Sequence, residues 1–244
     1  MSDYTDKEEL DFINSLYDEA DKQMKEIYKE QKGNMDELLQ QIATVMLTYT
    51  ILDSLMGLSK KDKSKEYNKL STSITKRAKA QGTTQNKVIK EILTGTTNKT
   101  FDFYSYNVGL EDVREIIANN FKGKHFSERV WANESDVAKH LHKQVDDFLN
   151  GKVNVNQIKK NIEATYNTSA YNAHRLVETE VNRVEDEAFK RMCHETGVKH
   201  VMRNEEMDSR TCAECAGINE NVYELADAPS GLHPLCRGFN TIVD

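Results

Sequence analysis

The sequence predicts a mainly α protein, an elongated helical body that carries a small C-terminal α+β tail built on a Cys/His knuckle. Three observations lead there. Both prolines, Pro229 and Pro234, stand in the last sixteen residues, so nothing earlier removes a backbone donor or forbids a long helix. Upstream, apolar residues recur at spacings of three and four, the period of an amphipathic helix. Close to the end, Cys212 and Cys215 stand two residues apart, and so do His233 and Cys236, the paired spacing of a closed metal loop.

The elements follow in order. Over residues 7–30 the positions Leu10, Ile13, Leu16, Tyr17, Met24, Ile27 and Tyr28 form one helical stripe. Gly33-Asn34 is expected to break this helix, and a second, more apolar helix over 35–58 to fold back on it. Residues 60–99 then hold eleven Lys/Arg against three acids, in a chain of net charge −7. Such a run is a solvated helix face, or a patch for DNA or an acidic partner, whose contact would be salt-dependent and blind to sequence. The stretch 94–109, T-G-T-T-N-K-T-F-D-F-Y-S-Y-N-V-G, is rich in helix breakers and aromatics. It reads as a connector whose rings close the core, the alternative being an exposed docking loop that orders only on a partner.

Helices resume at 110–121, 134–150 and 155–166. In the second of these Val137, Leu141, Val145 and Phe148 make the stripe, leaving His140 and His142 to solvent, with Gly151 as C-cap. The longest helix is expected over 168–195, with Ala170, Ala173, Val177, Val181, Val184, Ala188 and Met192 as a narrow seam. Glu178 and Glu180 flank that seam. Glu180 is read as an ion-pair residue that orients the turn at 208–210, since no acid/base partner or nucleophile is near it in sequence. Gly197 stops the helix, and 198–203, 221–225 and 239–243 read as short strands. The layout is thus 1–109, an N-terminal helical region; 110–197, a second helical region; and 198–244, the small Cys/His-bearing tail.

Composition narrows the function classes. A chain that is 38% hydrophobic and 30% charged builds a core but spares little apolar surface. Its acidic balance argues against a dedicated nucleic-acid binder. The polar start and four cysteines point to a reducing cytoplasm. No run reaches the roughly 18 apolar residues that cross a bilayer.

For the knuckle, thiolate and imidazole are the donors of a four-coordinate zinc, and Pro234 stiffens the second ligand pair. A hydrogen-bonded knuckle and a redox dithiol are the alternatives, although the strand-then-helix setting of a thioredoxin-like C-x-x-C is missing around Cys212. A tail this small cannot bury enough apolar surface to order itself, so a metal or the long helix must anchor it.

D-S-R-T-C-A-E-C at 208–215 and H-P-L-C-R at 233–237, with R-L-V-E-T-E at 175–180 and H-F-S-E-R-V-W at 125–131, resemble the tailed-phage minor head proteins, the Mu F-like head morphogenesis family. The resemblance covers the chain from about residue 121 onward. It departs from the family at Asn219-Glu220, where the family has Asp-Gly, and at Gly238, where the family has a further cysteine. It implies a structural virion component inside the phage head, made in the host bacterial cytoplasm. Its partners would be the portal or major capsid protein, with a scaffolding protein; the charge of the basic 60–99 segment adds non-specific DNA contact, and no membrane is expected. A structural zinc on Cys212, Cys215, His233 and Cys236, and no catalytic residue, complete that expectation. The other classes are a zinc-knuckle nucleic-acid module and a zinc-dependent enzyme on nucleic acid. Against the first, residues 192–244 carry four Lys/Arg and nine Asp/Glu. Against the second, a closed four-ligand site leaves no position for water.

Overall fold

The computed structural model describes residues 6–107, 109–209 and 211–243. Helices α1 (Asp6–Thr48), α2 (Lys60–Phe103), α3 (Leu110–Ala118), α4 (Phe126–Leu149) and α5 (Val155–Thr196) dominate the chain. A hairpin of β1 (Ile51–Leu52) and β2 (Leu55–Met56) separates the first two. The tail holds β3 (His200–Asn204), the short helix α6 (Ala213–Ala216), β4 (Val222–Glu224) and β5 (Phe239–Ile242), in an antiparallel sheet of order β4-β3-β5. The mainly helical class with a small C-terminal sheet and Cys/His cluster is as the sequence predicts.

Several boundaries differ, each for a physical reason. Gly33 does not break α1. It is exposed with nothing near its Cα, good helix formers flank it, and Asn34 donates to Gln81 Oε1 at 3.0 Å. The second expected helix stops at Thr48. Asp53 and Ser54 then take positive φ, 50° and 65°, a turn whose twist matches a two-residue hairpin. The expected connector at 94–109 is largely the end of α2. Thr94, Thr97 and Thr100 donate their hydroxyls to the carbonyls of Lys90, Leu93 and Thr96, so side chains that compete with a helix here bond back into it. Helix α5 is continuous where two helices were expected. Its start is a reciprocal cap, with Asn154 Oδ1 accepting from the Asn156 and Gln157 N–H groups and Gln157 Oε1 accepting from the Asn154 N–H. Gly151 and Gly197 end α4 and α5 in the left-handed conformation, at φ 69° and 81°.

The chain divides into two compact units. One comprises Lys25–Lys87 and Ser127–Ala173. Its core joins Leu38, Ile42, Leu70, Ile74, Val145 and Phe148 among others. Beside that core lies a polar cluster: Gln85 donates to Glu134 at 2.7 Å, and Gln31 donates to Ser169 at 2.9 Å. His142 is half-buried against Thr75 at 3.3 Å rather than fully solvent-facing, while His140 is exposed.

The other unit comprises Met1–Met24, Val88–Phe126 and His174–Asp244. Here the aromatic cluster is packed rather than displayed. Phe101 is 1% exposed, Phe103 stacks on Phe12 with centroids 4.1 Å apart, and Tyr104 meets Phe189 edge-on at 5.4 Å. An exposed docking loop is thereby excluded. Helix α5 is buried almost all round from Leu176 to Phe189, not along a narrow seam.

Candidate metal centre

The site is assembled from α6, the loop before β5 and one face of α5. Cys212 caps α6, its Sγ accepting from the Cys215 N–H at 3.5 Å. One turn of helix brings Cys215 to the same side, buried. His233 and Cys236 come from the loop ahead of β5, closed by a turn in which the Cys236 N–H donates to the His233 carbonyl at 3.2 Å. Leu235 inside that turn has φ 66°, a left-handed conformation unusual for a branched residue.

These residues lie close enough together to hold a metal ion. Cys212 Sγ and Cys215 Sγ are 3.3 and 3.2 Å from His233 Nε2, and Cys215 Sγ is 3.9 Å from Cys236 Sγ. For bonds of about 2.3 Å to sulfur and 2.0 Å to nitrogen, tetrahedral edges are roughly 3.5–3.8 Å; Cys212, Cys215 and His233 come near this spacing as one group, and Cys236 joins them through Cys215. The imidazole is oriented for it. His233 Nδ1 lies 2.9 Å from the Pro234 carbonyl, which can only accept, so Nδ1 carries the proton and Nε2 faces the sulfurs. The same contact, with the nearby Cys212 sulfur, raises the His233 pKa. The Cys215 N–H holds the Cys212 thiol below its ordinary pKa. Burial, with Cys236 alongside, pushes Cys215 up.

A second group, Glu205 with Cys215 and Cys236, shares Cys215. It already has a cation. Arg203 is fully buried, and its guanidinium donates to Glu205 Oε1 at 2.8 Å, to the Pro229 carbonyl at 3.3 Å and to Cys236 Sγ at 3.5 Å. A Cβ built at Gly238 would run into Arg203 and Glu205. A side chain at the position where the resembled family carries its last cysteine would therefore have to displace the Arg203–Glu205 pair, which fills its room here.

Helix α5 anchors the tail through a polar ladder at one-turn intervals. Glu178 pairs with Arg237, which lies over the Tyr17 ring at 4.6 Å. Thr179 Oγ1 accepts from the Leu235 N–H at 3.3 Å, and Asn182 donates to the Gly238 carbonyl at 2.8 Å. Asp186 accepts from Asn240 at 2.8 Å and from Ser230 at 2.7 Å. Lys190 donates to the Ala228 carbonyl at 2.9 Å. Next to the ladder Glu185 is buried, and burial with the Asp186 charge beside it pushes its pKa up to about 8.

The expected role of Glu180 in orienting the 208–210 turn falls on Arg210, which lies outside the described residues. Glu180 is fully buried and accepts from Arg183 Nε at 2.8 Å within its own helix. Its neighbour Glu178 makes a tie to the tail. Arg203, Asn182, Asp186 and Lys190 went unread in the sequence. The 182-186-190 spacing was the available signal, since three polar residues four apart on a helix share one face.

A cavity of about 270 Å3 adjoins the cluster, lined by its four donors with Glu178, Glu205, Glu206 and Asp208 among others. Among the described residues no helix is long and apolar enough to cross a membrane. In comparisons with known proteins, no family model, curated protein or solved structure matches the chain.

Proposed function

We propose that this protein is a structural component of a tailed-phage head, a minor head protein that acts in head assembly at the portal or capsid interior and carries one structural zinc in its tail. The observation that carries the reading is the meeting of the motifs behind the resemblance. The C-A-E-C and H-P-L-C-R segments supply one donor cluster, and the R-L-V-E-T-E segment of α5 docks it through Glu178 to Arg237 and Thr179 to Leu235. Three separated stretches thus build one hydrogen-bonded corner, which suits a part held in an assembly. The portal, the major capsid protein and a scaffolding protein are the partners this role calls for.

The cavity beside the cluster supports a second reading, a zinc enzyme acting on nucleic acid. Its lining works against that reading. The cations beside it, Arg237 and Arg203, are already paired with Glu178 and Glu205. Glu206 and Asp208 add further carboxylates at its wall, a poor setting for a polyphosphate substrate. The test is the protein content of purified heads, with and without DNA. The chain is expected in both at a fixed copy number; its absence from all heads overturns the proposal.

A further inference from the structure

Helix α2 carries its positive charge in a more ordered way than the net count of the segment suggests. Lys61, Lys65, Lys69, Lys76, Lys79 and Lys87 are all exposed. At 3.6 residues per turn they fall within an arc of about 80°, over a length of about 39 Å. The same arc holds Thr72 and Thr83, also exposed, whose hydroxyls turn back to the carbonyls of Asn68 and Lys79. The stripe therefore reads K, K, K, T, K, K, T, K, with no carboxylate, apolar residue or aromatic on it. Asp62, Glu66 and Glu91 lie off the arc.

None of these six ammonium groups makes an ion pair with a described residue. Several cations elsewhere are committed: Lys99 pairs with Glu19, Lys143 and Lys152 with Asp147, and Lys190 with Asp186. Arg77, in the midst of the run, belongs with these. Its side chain is 13% exposed and bound to Glu37 at 2.8 Å, so it is not part of the stripe.

We propose that this lysine stripe is the surface on which the protein lies along the phosphate backbone of double-stranded DNA, without reading sequence. The side-chain chemistry selects this partner. A protein interface is built on aromatic and apolar anchors and is depleted in lysine, and a membrane-surface helix needs an apolar face to insert. This arc has neither. It also lacks the Arg, Asn and Gln forks that read base edges. The repeat suits a duplex. Lys65, Lys76 and Lys87 are eleven residues apart, about 16–17 Å along the helix with little drift in azimuth. One turn of duplex is about 34 Å and presents each of its two backbones once, so phosphate ridges recur on average about every 17 Å.

The proposal deepens the head-protein reading but fails separately from it. The probe is a labelled random-sequence 30-bp DNA duplex, titrated by anisotropy at several salt concentrations. Six neutralised phosphates give a slope of log K against log salt near −5, with a Kd of about 10⁻⁴–10⁻⁶ M at physiological salt. Replacing Lys65, Lys76 and Lys87 with Gln is expected to reduce the slope by about 3 and to weaken binding at least tenfold, with helical content by circular dichroism unchanged. The charge-matched control Lys22→Gln, Lys25→Gln, Lys29→Gln should cost less than threefold. No binding at low salt, or equal losses from both triple variants, overturns the proposal. So does equal competition by polyglutamate at matched charge, which would make the partner an acidic protein, or by anionic vesicles, which would make it a lipid surface. A chain found in heads that fails these tests leaves the head reading standing and removes the stripe from it.

Discussion

Replacing Glu134 with Gln is expected to stabilise the unit built from 25–87 and 127–173, and to do so increasingly as pH rises. Glu134 is 3% exposed, and burial pushes its pKa up from 4.5 to about 7. The Glu30 carboxylate adds to this shift, while the hydrogen bond from Gln85 works against it. Arg77 lines the same small cavity, but its guanidinium is held by Glu37. A carboxyl whose folded pKa lies above its unfolded value holds its proton more tightly in the folded state. Stability from this group is therefore full below about pH 4.5 and is lost as pH rises through about 7. At about 1.4 kcal/mol per pKa unit the loss approaches 3 kcal/mol by pH 8. Gln does not titrate and can still accept from Gln85, so the variant should draw ahead of the parent by about 2–3 kcal/mol between pH 5 and 8. For a urea slope near 2 kcal/mol per molar, that moves the relative midpoint by roughly 1 M. The only tryptophan, Trp131, belongs to the same unit, so its fluorescence during urea unfolding is the assay. A gap between variant and parent that stays constant from pH 5 to 8 would refute the reasoning.

Metal removal tests the tail. If one zinc sits on Cys212, Cys215, His233 and Cys236, its binding contributes on the order of 10 kcal/mol at neutral pH and weakens on acidification as the ligands take up protons. Chelation or Cys212→Ser should then strip hydrogen-exchange protection from 198–243 and spare the helices of the other unit, whereas reduced protein purified without metal but with the same protection rules the zinc out. Arg203→Met leaves the Glu205 carboxylate buried without its partner and should cost about 3–5 kcal/mol, read as a lower thermal midpoint; a change below 1 kcal/mol would show that the pair is not what fills the room at Gly238. Gly33→Ala should stabilise α1 by about 1 kcal/mol, because the site is helical, exposed and open, and a destabilised variant in urea would mean that the helix is interrupted there after all.

How much of this was legible in the sequence depends on the range over which each feature is encoded. The knuckle was readable because its donors are paired two residues apart, and such spacing is a local property of tight turns. The helical class was readable from period and from missing proline. Helix ends were not, because the residues that decide them act through partners elsewhere. Gly33 and the threonines at 94, 97 and 100 look like breakers until a side-chain bond or a packed face outweighs their propensity. The polar ladder on α5 was hidden for a related reason. Asn182, Asp186 and Lys190 read as the solvated side of an amphipathic helix, yet they meet the tail across 38 to 56 residues of chain. Burial of those groups follows from the tail's own poverty. A sheet of three short strands supplies few apolar side chains, so the helix covers it with hydrogen bonds to loop carbonyls and amides instead. The same poverty explains Arg203. In a strand alternating inward at Val201 and Arg203, both almost fully buried, the second inward position is filled by a guanidinium that bonds Glu205, Pro229 and Cys236 together. A tail this small is held less by a hydrophobic core than by a hydrogen-bonded polar one, and that kind of core leaves almost no periodic trace in a sequence.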